Sequence, residues 1–189
     1  MLDLVSVPAW RCHTVASLLL MDDQVLLIQH KKLNLWLAPG GHVEPGELPF
    51  QAAEREFFEE TGVKVKAIEW RRTNQHYPKL KTSQSIPNPI TTNLHWVSEE
   101  NYRARLKSAD PKALHITQVW PRGCEQHYCE LFLVEPVQPG EIKLRLNQNE
   151  GTDLRWFPIS ATETKKLLSH DIYQEVKYLC HIHSTSLIN

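Results

Sequence analysis

Between residues 40 and 63 the chain reads GGHVEPGELPFQAAEREFFEETGV, six acidic residues and a single Arg held between glycines. Pro49 suits the first turn of a helix, and AAEREFFEE supplies good helix formers behind it. Gly62 fits the left-handed position just past a helix end, so the helix is bounded on both sides. Residues three and four apart share one helical face, which directs Glu56, Glu59 and Glu60 into one small volume. Each like-charged pair costs about 0.2–0.5 kcal/mol on an exposed helix. All three also sit toward the C-terminal end, where the helix dipole disfavours negative charge. Local forces therefore oppose the cluster. A hard divalent cation reverses that balance, because Mg²⁺ and Mn²⁺ prefer oxygen ligands, keep several waters and share their shell with phosphates. For three glutamates taken alone, a solvated acidic face is the plainer reading.

The flanks supply strands. CHTVASLLL and VLLIQH, on either side of a polar turn at Asp22 and Asp23, read as a β-hairpin from Cys12 to His30. LWLAP (35–39) is a further short strand, closed by a turn at Pro39, Gly40 and Gly41. After Gly62, VKVKAIEWRR resumes strand-like alternation, and the polar stretch 73–93 with its three prolines is loop composition. Ser98 is a plausible helix cap with Glu99 and Glu100 in the first turn and Arg103, Arg105 and Lys107 near the end. YCELFLVEPV (128–137) and TDLRWFPI (152–159) read as two more strands, and 160–181 as a terminal amphipathic helix. Strands, a helix, more strands and a final helix imply an α/β fold, a mixed sheet packed between helices.

A length of 189 residues fits one domain: an extension over 1–10, a body over 11–181 with an insertion at about 91–121, and a tail over 182–189. Net charge is −1, so no global basic field argues for a nucleic-acid partner or an anionic membrane. The first residues, MLDLVSVPAW, lack a basic region followed by a long apolar run, and ASLLLM is far too short to span a bilayer. Cys12, Cys124, Cys129 and Cys180 form no CxxC pair, and the expectation is reduced thiols in a cytoplasmic protein. Cys124, His127 and Cys129 lack the further ligands that zinc needs and are read as strand residues. His181 and His183 are read as a polar tail.

The acidic helix belongs to a longer pattern. Gly41, five residues, Glu47, seven residues, Arg55-Glu56-Phe57, one residue, Glu59-Glu60, one residue, then Gly62-Val63 is a complete Nudix box. Seven fixed identities at fixed spacing arise by chance with a probability of roughly 10⁻⁹ per window at average residue frequencies. The sequence thus resembles the Nudix hydrolase superfamily, and the resemblance extends over about residues 11–180. It implies an α/β/α sandwich and a metal-dependent pyrophosphohydrolase that cleaves a nucleoside diphosphate linked to another moiety. By the same resemblance Glu56, Glu59 and Glu60 are metal ligands and catalytic residues, with Glu56 a ligand or a base. The Gly40 carbonyl adds a metal contact, and Glu47 with Arg55 forms a structural ion pair. Phe57 and Val63 are core residues.

Many relatives add an acidic residue from a later strand or loop. Glu130, in HYCELF, is favoured here over Glu125 and Glu150. His127 is a candidate proton carrier or substrate contact, set against an ordinary strand-end His. Lys31 and Lys32 are candidate phosphate contacts, set against a plain exposed basic pair. Tyr77 adjoins Pro78, which stands at about the distance where ADP-ribose pyrophosphatases carry a proline. The implied cofactor is Mg²⁺ or Mn²⁺ and the implied partner a nucleotide-type small molecule, and the resemblance also admits a homodimer. A non-hydrolytic Nudix sensor is the alternative, although such domains usually lack a box glutamate. An isoprenoid diphosphate isomerase would need a catalytic Cys ahead of the box, where Cys12 is the single early candidate.

Overall fold

The computed structural model describes residues 9–70, 84–106, 123–138, 140, 142–159, 162–168, 172–174 and 176–178. Strands β1 (Arg11–Met21) and β2 (Gln24–His30) form a tight hairpin. Its turn residues Asp22 and Asp23 both have positive φ, 46° and 59°, as a two-residue hairpin turn matched to strand twist requires. Strand β3 (Leu35–Leu37) pairs with β2, and β4 (Gly40–His42) pairs with β1. The two glycines expected in a turn are thus strand residues. Helix α1 (Pro49–Thr61) and strand β5 (Val65–Ala67) follow, then β6 (Thr91–Trp96), α2 (Glu99–Leu106), β7 (Gln126–Pro136), β8 (Gly151–Pro158) and α3 (Thr162–Leu167).

The sheet is mixed. Its main path runs β3-β2-β1-β7-β5, with β4 against β1, β6 against β7 and β8 against β2. β1 and β7 are parallel, and the other pairs are antiparallel. Alternation sorts the strand residues onto two faces. Val15, Leu19, Leu26, Phe132 and Val134 pack against Ala52, Ala53 and Phe57 of α1. Leu18, Val25, Leu27, Leu131 and Phe157 pack on the other face with Leu168 and Val176. Helical segments cover both faces, which is the α/β/α arrangement.

Four expectations change. Residues 91–93, expected in a loop, open β6, which hydrogen-bonds along β7 from Thr91↔Leu131 to Trp96↔Gln126. The terminal helix is not continuous: α3 stops at Leu167, Leu168 lies in a bend, and helix resumes at 172–174 and 176–178. Among the described residues of the stretch 63–72, strand character is confined to Val65–Ala67. Cys12 and Cys124 are joined as a disulfide with Cα atoms 5.7 Å apart, although 112 residues separate them. The parallel register Cys12↔His127 explains this pairing, because it sets the starts of β1 and β7 side by side. Residues 1–8 of the expected extension, the tail, Pro78 and all of 107–121 lie outside the described residues. Among the described residues no helix is long and apolar enough to cross a membrane.

Ser98 Oγ accepts the Asn101 N–H, capping α2. The far end of α2 is held by a buried ion pair. Arg105 Nε donates to Glu125 Oε1 at 2.9 Å, its Nη2 contacts Oε2, and Trp10 N–H donates to Oε2 at 2.7 Å. Glu125 is fully buried and fully satisfied, so this candidate acid is a structural group.

Candidate active site

The box begins where β4 lies flat on β1. A Cβ on Gly40 would stand 2.1 Å from the Val15 carbonyl oxygen, and one on Gly41 would stand 2.5 Å from the Glu56 carboxylate. Only glycines let backbone and carboxylates approach so closely. The Gly40 N–H uses that approach to donate to Glu60 Oε2 at 3.0 Å.

Arg55 organises the opposite side. Its Nε and Nη2 grip both oxygens of Glu47 at 2.9 and 3.0 Å, a bidentate pair, and Nη2 also donates to the His42 carbonyl at 2.9 Å. Nη1 reaches Glu56 Oε1 at 2.8 Å and stands 3.5 Å from Glu59. The hydrogen bond from Arg55 lowers the Glu47 pKa, and that to Glu47 foremost raises the Arg55 pKa. The loop before α1, the strand β4 and the carboxylate face are thus tied through one guanidinium.

Burial raises the Glu56 pKa against the pull of Arg55. Glu60 is more extreme. It is 3% exposed, and desolvation holds its pKa up at about 8; the Gly40 amide opposes this, while Glu56, Glu150 and Glu59 push further up. Among the described residues no Lys or Arg forms an ion pair with it. Glu59, half exposed, opens the cluster to solvent.

Glu150 joins the group through the way α1 ends. The last carbonyls of a helix lack partners within it. Here Thr61 O accepts the Arg145 N–H at 2.7 Å and Glu60 O accepts the Asn147 N–H at 3.0 Å. Segment 145–147 is thereby fixed along the helix end, and the turn that follows, with Glu150 N–H on Asn147 O, brings Glu150 within electrostatic reach of Glu60. Lys31 is attached to the same turn. Its N–H donates to Glu150 O at 2.8 Å and its Nζ to Gln148 O at 3.3 Å. Lys32 is exposed; burial foremost lowers the pKa of His30, opposed by Glu150 and aided by Lys32.

The favoured late acid, Glu130, is engaged elsewhere: Oε1 lies 3.6 Å from His13 Nε2 on β1. His127 belongs to the sheet face away from α1, two and four residues before Cys129 and Leu131 on β7. Its ring lies 5.4 Å from both His42 and His95, edge to face. Burial lowers its pKa to about 4, with His95 and His42 adding to the effect, so it is neutral at ordinary pH. Tyr77 lies outside the described residues. Cys12, the single early nucleophile candidate, is bonded to Cys124.

The donor chemistry suits a hard divalent cation. Glu56, Glu59, Glu60 and Glu150 offer only oxygen, and the buried Glu60 carboxylate has no cation of its own to offset its charge. Among the described residues, however, no three of these carboxylates bring their oxygens within 4.8 Å of one another.

The match to the family model, described as NUDIX domain, covers residues 11–115. The chain belongs to the Nudix family. The family's hydrolases act on phosphoanhydrides. A curated relative, the putative 8-oxo-dGTP diphosphatase of Bacillus subtilis (strain 168), is 33% identical over 98 residues, 52% of this chain and 65% of that protein. Diphosphoinositol polyphosphate phosphohydrolase 2 of Rattus norvegicus is 50% identical over 46 residues, 24% of this chain and 26% of that protein. The Nudix chain therefore spans less than two thirds of the length of either curated relative. A crystal structure of a NUDIX-family hydrolase from Clostridium perfringens superposes with a TM-score of 0.61 at 22% identity, covering 91% of this chain and 97% of that one. That similarity establishes the fold.

Proposed function

We propose that this Nudix protein is a Mg²⁺- or Mn²⁺-dependent pyrophosphohydrolase cleaving a phosphoanhydride in a nucleoside diphosphate linked to another moiety. ADP-ribose, nucleotide sugars and nucleoside triphosphates make up the substrate class. The observation that carries the reading is Glu60: a buried carboxylate beside Glu56, Glu59 and Glu150, with no cationic side chain of its own.

Bound at these carboxylates, the cation neutralises phosphate charge, orients the substrate and lowers the pKa of a bound water. The chain's own residues do the rest. Glu59 and Glu60 hold the ion from one helical face, and the Gly40 N–H fixes one oxygen of Glu60 so that the other is left for coordination. Glu56 takes the proton from the attacking water. Its raised pKa brings it nearer to working pH, and Arg55 keeps its carboxylate in place. Glu150 serves as the further acid from the late loop, in preference to Glu130. Lys31, seated on that loop, faces the substrate phosphates. Positioning and electrostatics of this kind supply most of the rate in phosphoryl transfer.

The test is a panel of ADP-ribose, nucleotide sugars, dinucleoside polyphosphates and nucleoside triphosphates with Mg²⁺ or Mn²⁺, products being read by mass. Oxidised nucleoside triphosphates belong in it because of the Bacillus subtilis relative's name. Metal-dependent release of a phosphorylated product is expected from at least one compound. Silence across the panel with both metals overturns the reading and favours a non-hydrolytic sensor.

A further inference from the structure

On the face of the sheet away from α1 lies a second group of ligating atoms that the hydrolytic reading does not use. Cys12 Sγ, Cys124 Sγ and His42 Nε2 all lie within 4.8 Å of one another. His42 Nε2 stands 3.3 Å from Cys124 Sγ. Strand register brings them together: His42 pairs with Thr14, two residues along β1 from Cys12, while Cys12 pairs with His127. Successive strand residues point to opposite faces, so Gly41 backs the Glu56 carboxylate and His42 turns to the other side. The sheet thus separates this group from the box carboxylates.

We propose that Cys12, Cys124 and His42, with His127 as fourth donor, form a thiolate–imidazole site for Zn²⁺, and that this site and the Cys12–Cys124 disulfide are alternative states of the same sulfurs. The dimensions suit both states. Zinc takes thiolate at about 2.3 Å and imidazole at about 2.0–2.1 Å in a tetrahedron, so ligand atoms end roughly 3.3–3.8 Å apart. His42 Nε2, 3.3 Å from Cys124 Sγ, already has that spacing, whereas the two sulfurs are bonded to each other and must separate on reduction before an ion can enter between them. A Cα–Cα distance of 5.7 Å also falls in the range that a disulfide bridges. His127 stands beside His42, ring centroids 5.4 Å apart, outside the three atoms that already cluster, so its imidazole completes the tetrahedron by turning toward the sulfurs. His42 is exposed and both cysteines are partly so, giving an ion access.

Soft and borderline ligands select zinc over magnesium, so the two sites take different metals. Interconversion balances simply. One thiolate attacks a low-molecular-weight disulfide and expels one of its thiolates. The second attacks the protein sulfur of the resulting mixed disulfide, forming the Cys12–Cys124 bond and expelling the other thiolate, and the zinc is released. His42 links this event to the box, because its carbonyl accepts Arg55 and it follows Gly40 and Gly41 directly.

Cobalt substitution tests the proposal without reference to activity. Full-length protein, reduced with a phosphine and with its thiols counted by titration, is given Co²⁺ under anaerobic conditions. The expected spectrum has sulfur-to-cobalt charge-transfer bands and the intense d–d bands of a tetrahedral site, all lost on addition of Zn²⁺. Oxidised protein gives neither, and Cys129→Ser leaves both unchanged. Cys12→Ser and Cys124→Ser each lower the charge-transfer amplitude by about half, as the loss of one of two thiolate ligands demands. Fully reduced wild-type protein that binds cobalt without charge-transfer bands overturns the site, and that result needs no variant to fold. Bands unchanged when both cysteines are replaced overturn it equally.

Discussion

Glu60 and Glu125 are two buried carboxylates that the molecule treats in opposite ways. Glu125, fully buried, is gripped by Arg105 and by the Trp10 amide. Glu60, almost as deeply buried, has one backbone N–H from Gly40 and three acidic neighbours. The first is closed: every charge has its partner inside the chain, and nothing is left for a ligand. The second is open, and its deficit is one of positive charge. Burial alone does not mark a functional acid; an incomplete set of partners does.

The largest expected effect breaks the closed member. Arg105→Ala strands the Glu125 charge in the core and is expected to lower stability by about 3–5 kcal/mol, with or without Mg²⁺. Replacing both residues by apolar ones of similar volume should return most of that loss, because the two charges then leave together. Chemical denaturation of the three proteins measures both differences. A mild phenotype for Arg105→Ala would mean that the pair is not closed.

At the open member the sign reverses. Glu60→Gln removes a poorly compensated charge, so chelator-treated protein should be no less stable than wild type while metal-dependent turnover falls by more than ~100-fold, beyond the usual loss for a group that merely supports a ligand. Glu59→Gln should lose turnover similarly. Full activity in both variants, each folded by circular dichroism, would reject the carboxylate cluster as the site.

The pH dependence sharpens the same contrast. The Glu60 pKa is raised from 4.5 to about 8 in the folded chain. Between those values the folded state keeps a proton that the unfolded state has released, so stability falls as pH rises through the window. Chelated wild type should therefore lose stability from pH 5 to 8 relative to Glu60→Gln, on the order of 1 kcal/mol per pH unit at the steepest. Mg²⁺ competes with that proton and should flatten or invert the slope. Parallel stability–pH curves for the two chelated proteins would remove the claim that Glu60 lacks compensation.

How much of this was legible in the sequence depended on whether local forces decide. The hairpin turn at Asp22 and Asp23, the body of α1 and the Gly62 cap with φ of 73° follow from propensity and short-range geometry. The box spacing fixed which residues share the helix face. What stayed hidden was pairing across long separations. Residues 91–96 carry no strong alternation, and only the partner β7 makes them a strand. The disulfide and the His42 cluster depend on β1 and β7 starting side by side, a fact of register that no local window holds. The approach of Glu150 to Glu60 is hidden for a similar reason: its place follows from the Asn147 and Arg145 amides finding the end of α1. The signal available was the short spacing of Glu150 from the strand TDLRWFPI.

Glu130 and Glu150 supply the smallest and most discriminating test. Both follow the box and both are acidic, yet one faces His13 on a strand and the other approaches Glu60 from a turn. If the late acid supports the bound cation, Glu150→Gln should lower turnover by about 10–100-fold and raise the Mg²⁺ concentration needed for half-maximal rate. Glu130→Gln should leave turnover within about twofold, in keeping with the ±0.5 kcal/mol typical of substitutions away from special features. The split between rate and metal requirement matters, since a merely structural role for Glu150 would lower stability without moving the Mg²⁺ dependence. Should Glu130→Gln carry the larger loss and the shifted metal requirement, the late acid sits on β7, and the partnership with His13 belongs to the reaction instead of the scaffold.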